Sequence, residues 1–138
     1  MKEVDMKVLA IGSKITIRKI CENIIEKVEN INLADFNNKN YLNWKLSESD
    51  NVNYFTGNIE KIDTLLKSGL ENADIIIVHS RNDIETLFVA QKSKIDTAKS
   101  IFVVLEDLSL SDVFESLGFT VIDSYNLKIT KLLNKLGS

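Results

Sequence analysis

The chain has 138 residues, 44% of them hydrophobic and 27% charged, with five glycines and no proline; this fits one globular domain and excludes collagenous, proline-rich and low-complexity classes. A net charge of −3 and a pI near 5.2 lack the basic excess of a nucleic-acid binder. The single cysteine, Cys21, and single histidine, His79, exclude an internal disulfide, a multi-cysteine zinc site and a histidine-rich metal centre.

The predicted elements alternate. No apolar run approaches the ~18–20 residues that span a bilayer. The N-terminal MKEVDMKVLAIG carries acids and no small-residue cleavage site, so it is not a secretory signal and a cytoplasmic location is expected. A first strand is predicted at Lys7–Gly12. A helix follows whose apolar positions Ile17, Ile20, Cys21, Ile24 and Val28 form one stripe. Ile31–Phe36 is a second strand. The polar segment Lys39–Asp50 carries Tyr41, Leu42, Trp44 and Leu46 and reads as a short helix. Val52–Thr56 is a third strand, and Ile62, Leu65 and Leu66 mark a helix stopped by Gly69.

Ala73–His79 is a fourth strand, followed by a helix led by Ile84, Leu87, Phe88 and Gln91. Ser100–Glu106 is a fifth. Val113, Phe114 and Leu117 then lead a helix with Ser109 or Ser111 as N-cap and Gly118 as stop. Phe119–Asp123 is the sixth strand, and Leu127, Leu132, Leu133 and Leu136 mark the last helix. Most strands are near-continuous apolar runs, which predicts burial on both faces and hence a parallel sheet. Strands alternating with helices place helices on both sides of it. No linker divides the chain, so residues 1–138 are read as one domain.

Open parallel sheets bind ligands beyond the carboxyl ends of their strands. The residues there are Gly12-Ser13-Lys14, Asp35-Phe36-Asn37, Gly57-Asn58, His79-Ser80-Arg81-Asn82-Asp83 and Glu106-Asp107. A dinucleotide fold wants G-x-G-x-x-G after its first strand. Here Gly12-Ser13-Lys14-Ile15-Thr16-Ile17 keeps only the first glycine. Lys14 stands where bare backbone would approach a pyrophosphate, and Ile17 stands where close packing usually needs Gly or Ala. Asp35 lies where an acid would bind a ribose hydroxyl. The plainer alternatives are a simple strand-to-helix turn at Gly12 and a helix cap or solvated acid at Asp35.

In order and wording, Lys7–Gly12, Leu33–Asn37, Gly57–Asn58, Gly69–Val78, Asp83–Leu87 and Phe114–Ile122 resemble the N-terminal lobe of RCK/KTN domains, the TrkA-type regulators of potassium channels and transporters. The resemblance covers about residues 6–136. It implies a Rossmann-like three-layer α/β domain, with a six-stranded parallel sheet in the order 3-2-1-4-5-6 and helices on both faces. It also implies a regulatory role in potassium transport, with NAD(H) or an adenine nucleotide as ligand or with none. On this reading Gly12, Ser13, Lys14, Asp35, Asn37, Gly57, Asn58, His79 and Ser80 line the nucleotide site, and Lys14 and Arg18 grip phosphate by charge. The chain departs from the family pattern at Lys14 and Ile17, which replace glycines. It departs again at Asn58 for an Asp, at Val104 for an Arg, and at Glu106-Asp107-Leu108 for an Asn-Asn-Pro-like turn.

The alternative function is a degenerate lobe kept for assembly, pairing as a homodimer or with a sister RCK lobe beside a membrane channel or transporter subunit. The leucine stripe of the last helix is either that interface or simply packed on the sheet. An enzyme is not expected: Tyr41-x-x-x-Lys45 lacks a partner serine, and Ile11-Gly12-Ser13 is not the acidic pair of a phosphoacceptor domain. His79 reads as a strand-end polar residue satisfied by a loop, Cys21 as a small buried hydrophobe, and Arg81, Asp83 and Glu85 as a charged helix start.

Overall fold

Six short apolar runs become six strands in the computed structural model, which describes residues 5–12, 14–96 and 99–137. They are β1 (Lys7–Gly12), β2 (Asn30–Asp35), β3 (Val52–Thr56), β4 (Ile75–His79), β5 (Ser100–Leu105) and β6 (Thr120–Asp123). All neighbours pair in parallel, in the order β3-β2-β1-β4-β5-β6. This is the expected Rossmann-like order. Among the described residues five α-helices connect or follow the strands: α1 (Ile15–Ile24), α2 (Ile62–Lys67), α3 (Asp83–Ser93), α4 (Ser111–Ser116) and α5 (Thr130–Lys135).

The chain reverses its direction of travel across the sheet between β3 and β4. Right-handed crossovers therefore put α1 on one face and α2, α3 and α4 on the other, while α5, which follows the last strand, returns to the face of α1. One core holds the α1 stripe, Tyr41, Trp44, Leu132 and Leu136 against one face. The other holds Ile59, Leu65, Val89, Ala90, Phe114 and Phe119 against the second. The leucines of the last helix thus pack on the sheet.

Local chemistry sets the helix ends. Asn82 caps α3 by accepting from the Glu85 amide at 2.8 Å, and Asp83 and Glu85 in the first turn favour its positive end. Gly69 follows α2 at φ +101°, a left-handed stop that a side chain would strain. Several expectations shift. Lys39–Asp50 forms two 3₁₀ turns, Lys39–Tyr41 and Lys45–Glu48, rather than a helix, because Leu42 and Trp44 are extended and Asn43 between them is left-handed at φ +61°. Neither Ser109 nor Ser111 caps α4. Instead Asp107 accepts from the Ser109 amide at 3.0 Å and opens a 3₁₀ turn, Leu108–Leu110, that runs into α4. Finally, strand bounds move by one or two residues: β2 runs from Asn30 to Asp35, β4 begins at Ile75, β5 ends at Leu105 and β6 begins at Thr120.

Candidate functional site

Gly12 and His79 are register partners at the ends of β1 and β4, where the direction of strand addition changes. Gly12 has φ +132°, and a Cβ there would stand 1.9 Å from the His79 carbonyl oxygen. Glycine is thus demanded by two strand ends in close contact, whatever the site binds. Tyr41, buried under this turn, donates its hydroxyl to the Gly12 carbonyl at 2.7 Å. Burial pushes the Tyr41 phenol far up, so it stays protonated as a donor.

Lys14 precedes α1 in an extended conformation. Its ammonium lies 3.3 Å from Glu106 Oε2, and His79 Nε2 lies 3.2 Å from the same oxygen. The Glu106 backbone is itself pinned: the amides of Glu106 and Asp107 donate to the Asp83 carboxylate at 3.0 and 2.9 Å. Burial alone would raise the Glu106 pKa. The hydrogen bonds from His79 and Lys14 outweigh it and hold the carboxyl below its ordinary range. His79 is buried, which lowers its pKa against the opposing pull of Glu106. A neutral ring that donates Nε2–H to Glu106 leaves Nδ1 as an acceptor, and Nδ1 is buried with no partner among the described residues. The expectation of a histidine satisfied by a loop holds for one nitrogen only.

Asp35, at the end of β2, is neither a cap nor a solvated acid. Its side chain is buried; Oδ1 accepts from the Phe36 amide at 2.7 Å, and Oδ2 has no partner among the described residues. Burial raises its pKa, against the Phe36 amide, Asn40 and Arg81. The Gly57 amide donates to the Asp35 carbonyl at 3.0 Å, so the β2 and β3 ends adjoin.

The other expected site residues divide. Ser80 is buried, but its hydroxyl donates to Glu85 at 2.5 Å and serves the start of α3. Arg81 also pairs with Glu85, at 2.9 Å, and its guanidinium lies 4.4 Å from the Phe36 ring centroid. Asn37 and Asn58 are exposed, and each Oδ1 accepts an amide of its own loop, from Lys39 and Glu60. Ser13 lies outside the described residues. Arg18 turns from the expected phosphate position to lie 5.3 Å from the Trp44 ring centroid. Cys21 is buried, with its thiol pushed up to about 12.

The sequence places Asp83 and Glu106 beyond strand ends, but the resemblance assigns neither to the nucleotide site. The position of Glu106 directly after β5 was the available signal. Among the described residues no three His, Cys, Asp or Glu side chains gather as a metal site. A hollow of about 440 Å³ opens beside the β3 end, lined by Asn58, Lys61, Asp63 and Phe88.

The TrkA-N domain family matches residues 8–125. No curated protein matches the chain by sequence. Among solved structures it resembles the GsuK RCK domain, at 13% identity and TM-score 0.62, over 88% of this chain and 26% of that one. It resembles the GsuK channel bound to NAD at 14% identity and TM-score 0.68, over 98% of this chain and 23% of that one. The Shewanella denitrificans Kef C-terminal domain in AMP-bound form matches at 13% identity and TM-score 0.68, over 95% of this chain and 77% of that one. The chain thus spans about a quarter of the two GsuK chains.

Proposed function

The chain belongs to the TrkA-N domain family, and from that premise we propose that it is a non-enzymatic regulatory lobe of a potassium channel or transporter system, answering to an adenine nucleotide at the carboxyl edge of its sheet. The observation that carries this is Asp35: a buried carboxylate at the end of β2 with one oxygen unpartnered among the described residues. A buried acceptor left unsatisfied is costly, about 1–3 kcal/mol, and a ribose hydroxyl placed there would satisfy it. Lys14 and the start of α1 supply positive charge for a phosphate. Gly12 forms the turn, and Ser13 follows it in sequence. Gly57, Asn58, Asn37 and His79 frame the base and sugar, and Ser80 supports them from the start of α3. The relatives solved with NAD and with AMP support this choice of ligand. Such a lobe would act in the cytoplasm beside its channel or transporter subunit; among the described residues no helix is long and apolar enough to cross a membrane.

Mass spectrometry of the denatured protein, followed by titration with AMP, ATP, NAD and NADH, tests the reading. We expect saturable binding that Asp35→Ala weakens about tenfold or more. No heat and no thermal shift at millimolar nucleotide would sink it.

A second reading, an assembly module, is favoured by Ile84, Phe88, Leu108 and Val113, large apolar residues exposed on α3, α4 and the turn before α4. On it, the chain pairs with a copy of itself or a sister lobe through this surface rather than through α5. Concentration-dependent sedimentation of the purified chain, alone and with such a lobe, checks it; a monomer throughout counts against it.

A further inference from the structure

Arg81, in the turn after β4, reaches across the carboxyl edge to the ends of two other strands. Its guanidinium carbon lies over the Phe36 ring, 4.4 Å from the centroid, and Phe36 directly follows Asp35. One of its terminal nitrogens lies 3.5 Å from Glu60, beyond β3. Its Nε donates to both oxygens of Glu85, at 3.1 and 2.9 Å. Three strand ends thus meet on one flat cation. Resting on the nucleotide reading above, we propose that Arg81, backed by Phe36, is the platform on which the base of the nucleotide stacks, so that Asp35 reads the sugar and Arg81 reads the ring.

A base is attached to ribose beside the hydroxyl-bearing carbons, so a sugar held by Asp35 keeps its base near that carboxyl. Arg81 stands in the same neighbourhood: burial raises the Asp35 pKa, and the Arg81 charge is one of the influences that pull it back. One side of the guanidinium is covered by Phe36 while the side chain stays 58% exposed, which leaves flat surface open to solvent. Guanidinium groups stack on π-faces, and every nucleobase presents one. The platform is fixed before a ligand arrives. Glu85 is buried and also takes the Ser80 hydroxyl, so pulling its cationic partner away is costly. The acids around Arg81 would repel a phosphate, but a neutral base brings no charge against them. Glu60 and Glu85 also line a hollow of about 340 Å³ with Ile84 and Phe88. That volume lies in the range of small-molecule pockets and offers the ring apolar contact.

The test is isothermal titration of the full chain with AMP and with ribose 5-phosphate, which keeps the sugar and phosphate and lacks the base. The proteins compared are the native chain, Arg81→Lys and Phe36→Leu. Arg81→Lys keeps a charge for Glu85 and removes the flat face; Phe36→Leu keeps an apolar support and removes the ring. The native chain should bind AMP at least about tenfold tighter than ribose 5-phosphate. Arg81→Lys should weaken AMP about fivefold or more and leave ribose 5-phosphate within about twofold. Phe36→Leu should weaken AMP alone, by a smaller factor, and gives the readout should the first variant not fold. Ribose 5-phosphate too weak to register meets the first expectation, and UMP, whose smaller ring stacks less, then serves as the comparison: Arg81→Lys should narrow the AMP-to-UMP ratio. Unchanged AMP affinity in Arg81→Lys overturns the inference and leaves the nucleotide reading intact. So does an equal loss of AMP and of the comparison ligand, which would make Arg81 a phosphate contact or a purely structural residue. Binding of no nucleotide by the native chain overturns both.

Discussion

The two helical layers bury the sheet in different ways. The layer of α1, α5 and the aromatic turns closes with large side chains: Tyr41, Trp44, Leu132 and Leu136 are all buried. Tyr41 lies between Trp44 and Tyr54, with ring centroids 5.7 and 5.3 Å away, and the Trp44 ring nitrogen donates to Glu22 at 2.7 Å. The α3 helix of the other layer meets the sheet with small ones, Thr86, Val89, Ala90 and Ser93, and leaves Ile84 73% and Phe88 48% exposed. Apolar residues on the outside of a helix that is already packed inside do nothing for the monomer. The first layer exposes Ile15 and Leu42 as well, but Ile84, Phe88, Leu108 and Val113 make the second the more apolar surface and the one proposed for assembly.

Substitutions can break or sharpen that contrast. The largest effect is expected from Trp44→Ala in the closed layer, a loss of about 3–5 kcal/mol by urea unfolding; a loss below about 1 kcal/mol would show that the aromatic turns do not close this face. Leu132→Ala should cost about 2–5 kcal/mol and leave association unchanged. Weakened association with little loss of stability would instead restore α5 as an interface. Tyr41→Phe should cost about 1–3 kcal/mol, because the buried Gly12 carbonyl loses its donor; an unchanged midpoint would show that water replaces it. In the open layer, Phe88→Ser with Val113→Ser should shift stability by less than about 1 kcal/mol. Sedimentation should show any self-association weakened, and a dimer of native strength would exclude this surface.

The smallest effect belongs to the edge that the layers share. Burial lowers the His79 pKa, so in the window below the ordinary histidine value of about 6.5 the unfolded chain binds a proton that the folded one refuses. Thermal stability should therefore fall as pH drops through that window, and His79→Gln should flatten the slope. Asp35 has the opposite sign: its raised pKa favours the folded state as pH falls toward the carboxylate range. An unchanged slope in His79→Gln would show that His79 is not held neutral.

Much of this was legible in the chain. Strands covered on both faces need unbroken apolar runs, and stretches such as Ile75–His79 cannot be placed well any other way. The turns at Gly69 and Gly118 were legible because helix ends need residues that tolerate positive φ. The segment from Lys39 to Asp50 was not. Its fold depends on where Tyr41 and Trp44 find burial and hydrogen bonds, which no local period encodes. The site was half legible. Position after a strand marks Asp35 and His79, but nothing in sequence spacing brings Lys14 to Glu106, 92 residues away.

The five glycines and the absence of proline excluded whole classes at the outset, and the run of apolar segments specified the α/β class, because both follow from local backbone and burial preferences. Only tertiary structure decided that Gly12 serves the packing of β1 against β4, that the leucines of α5 face inward, and that Glu106 crosses the strand ends. Those are matters of distance between segments remote in the chain, and distance exists only once the sheet has closed.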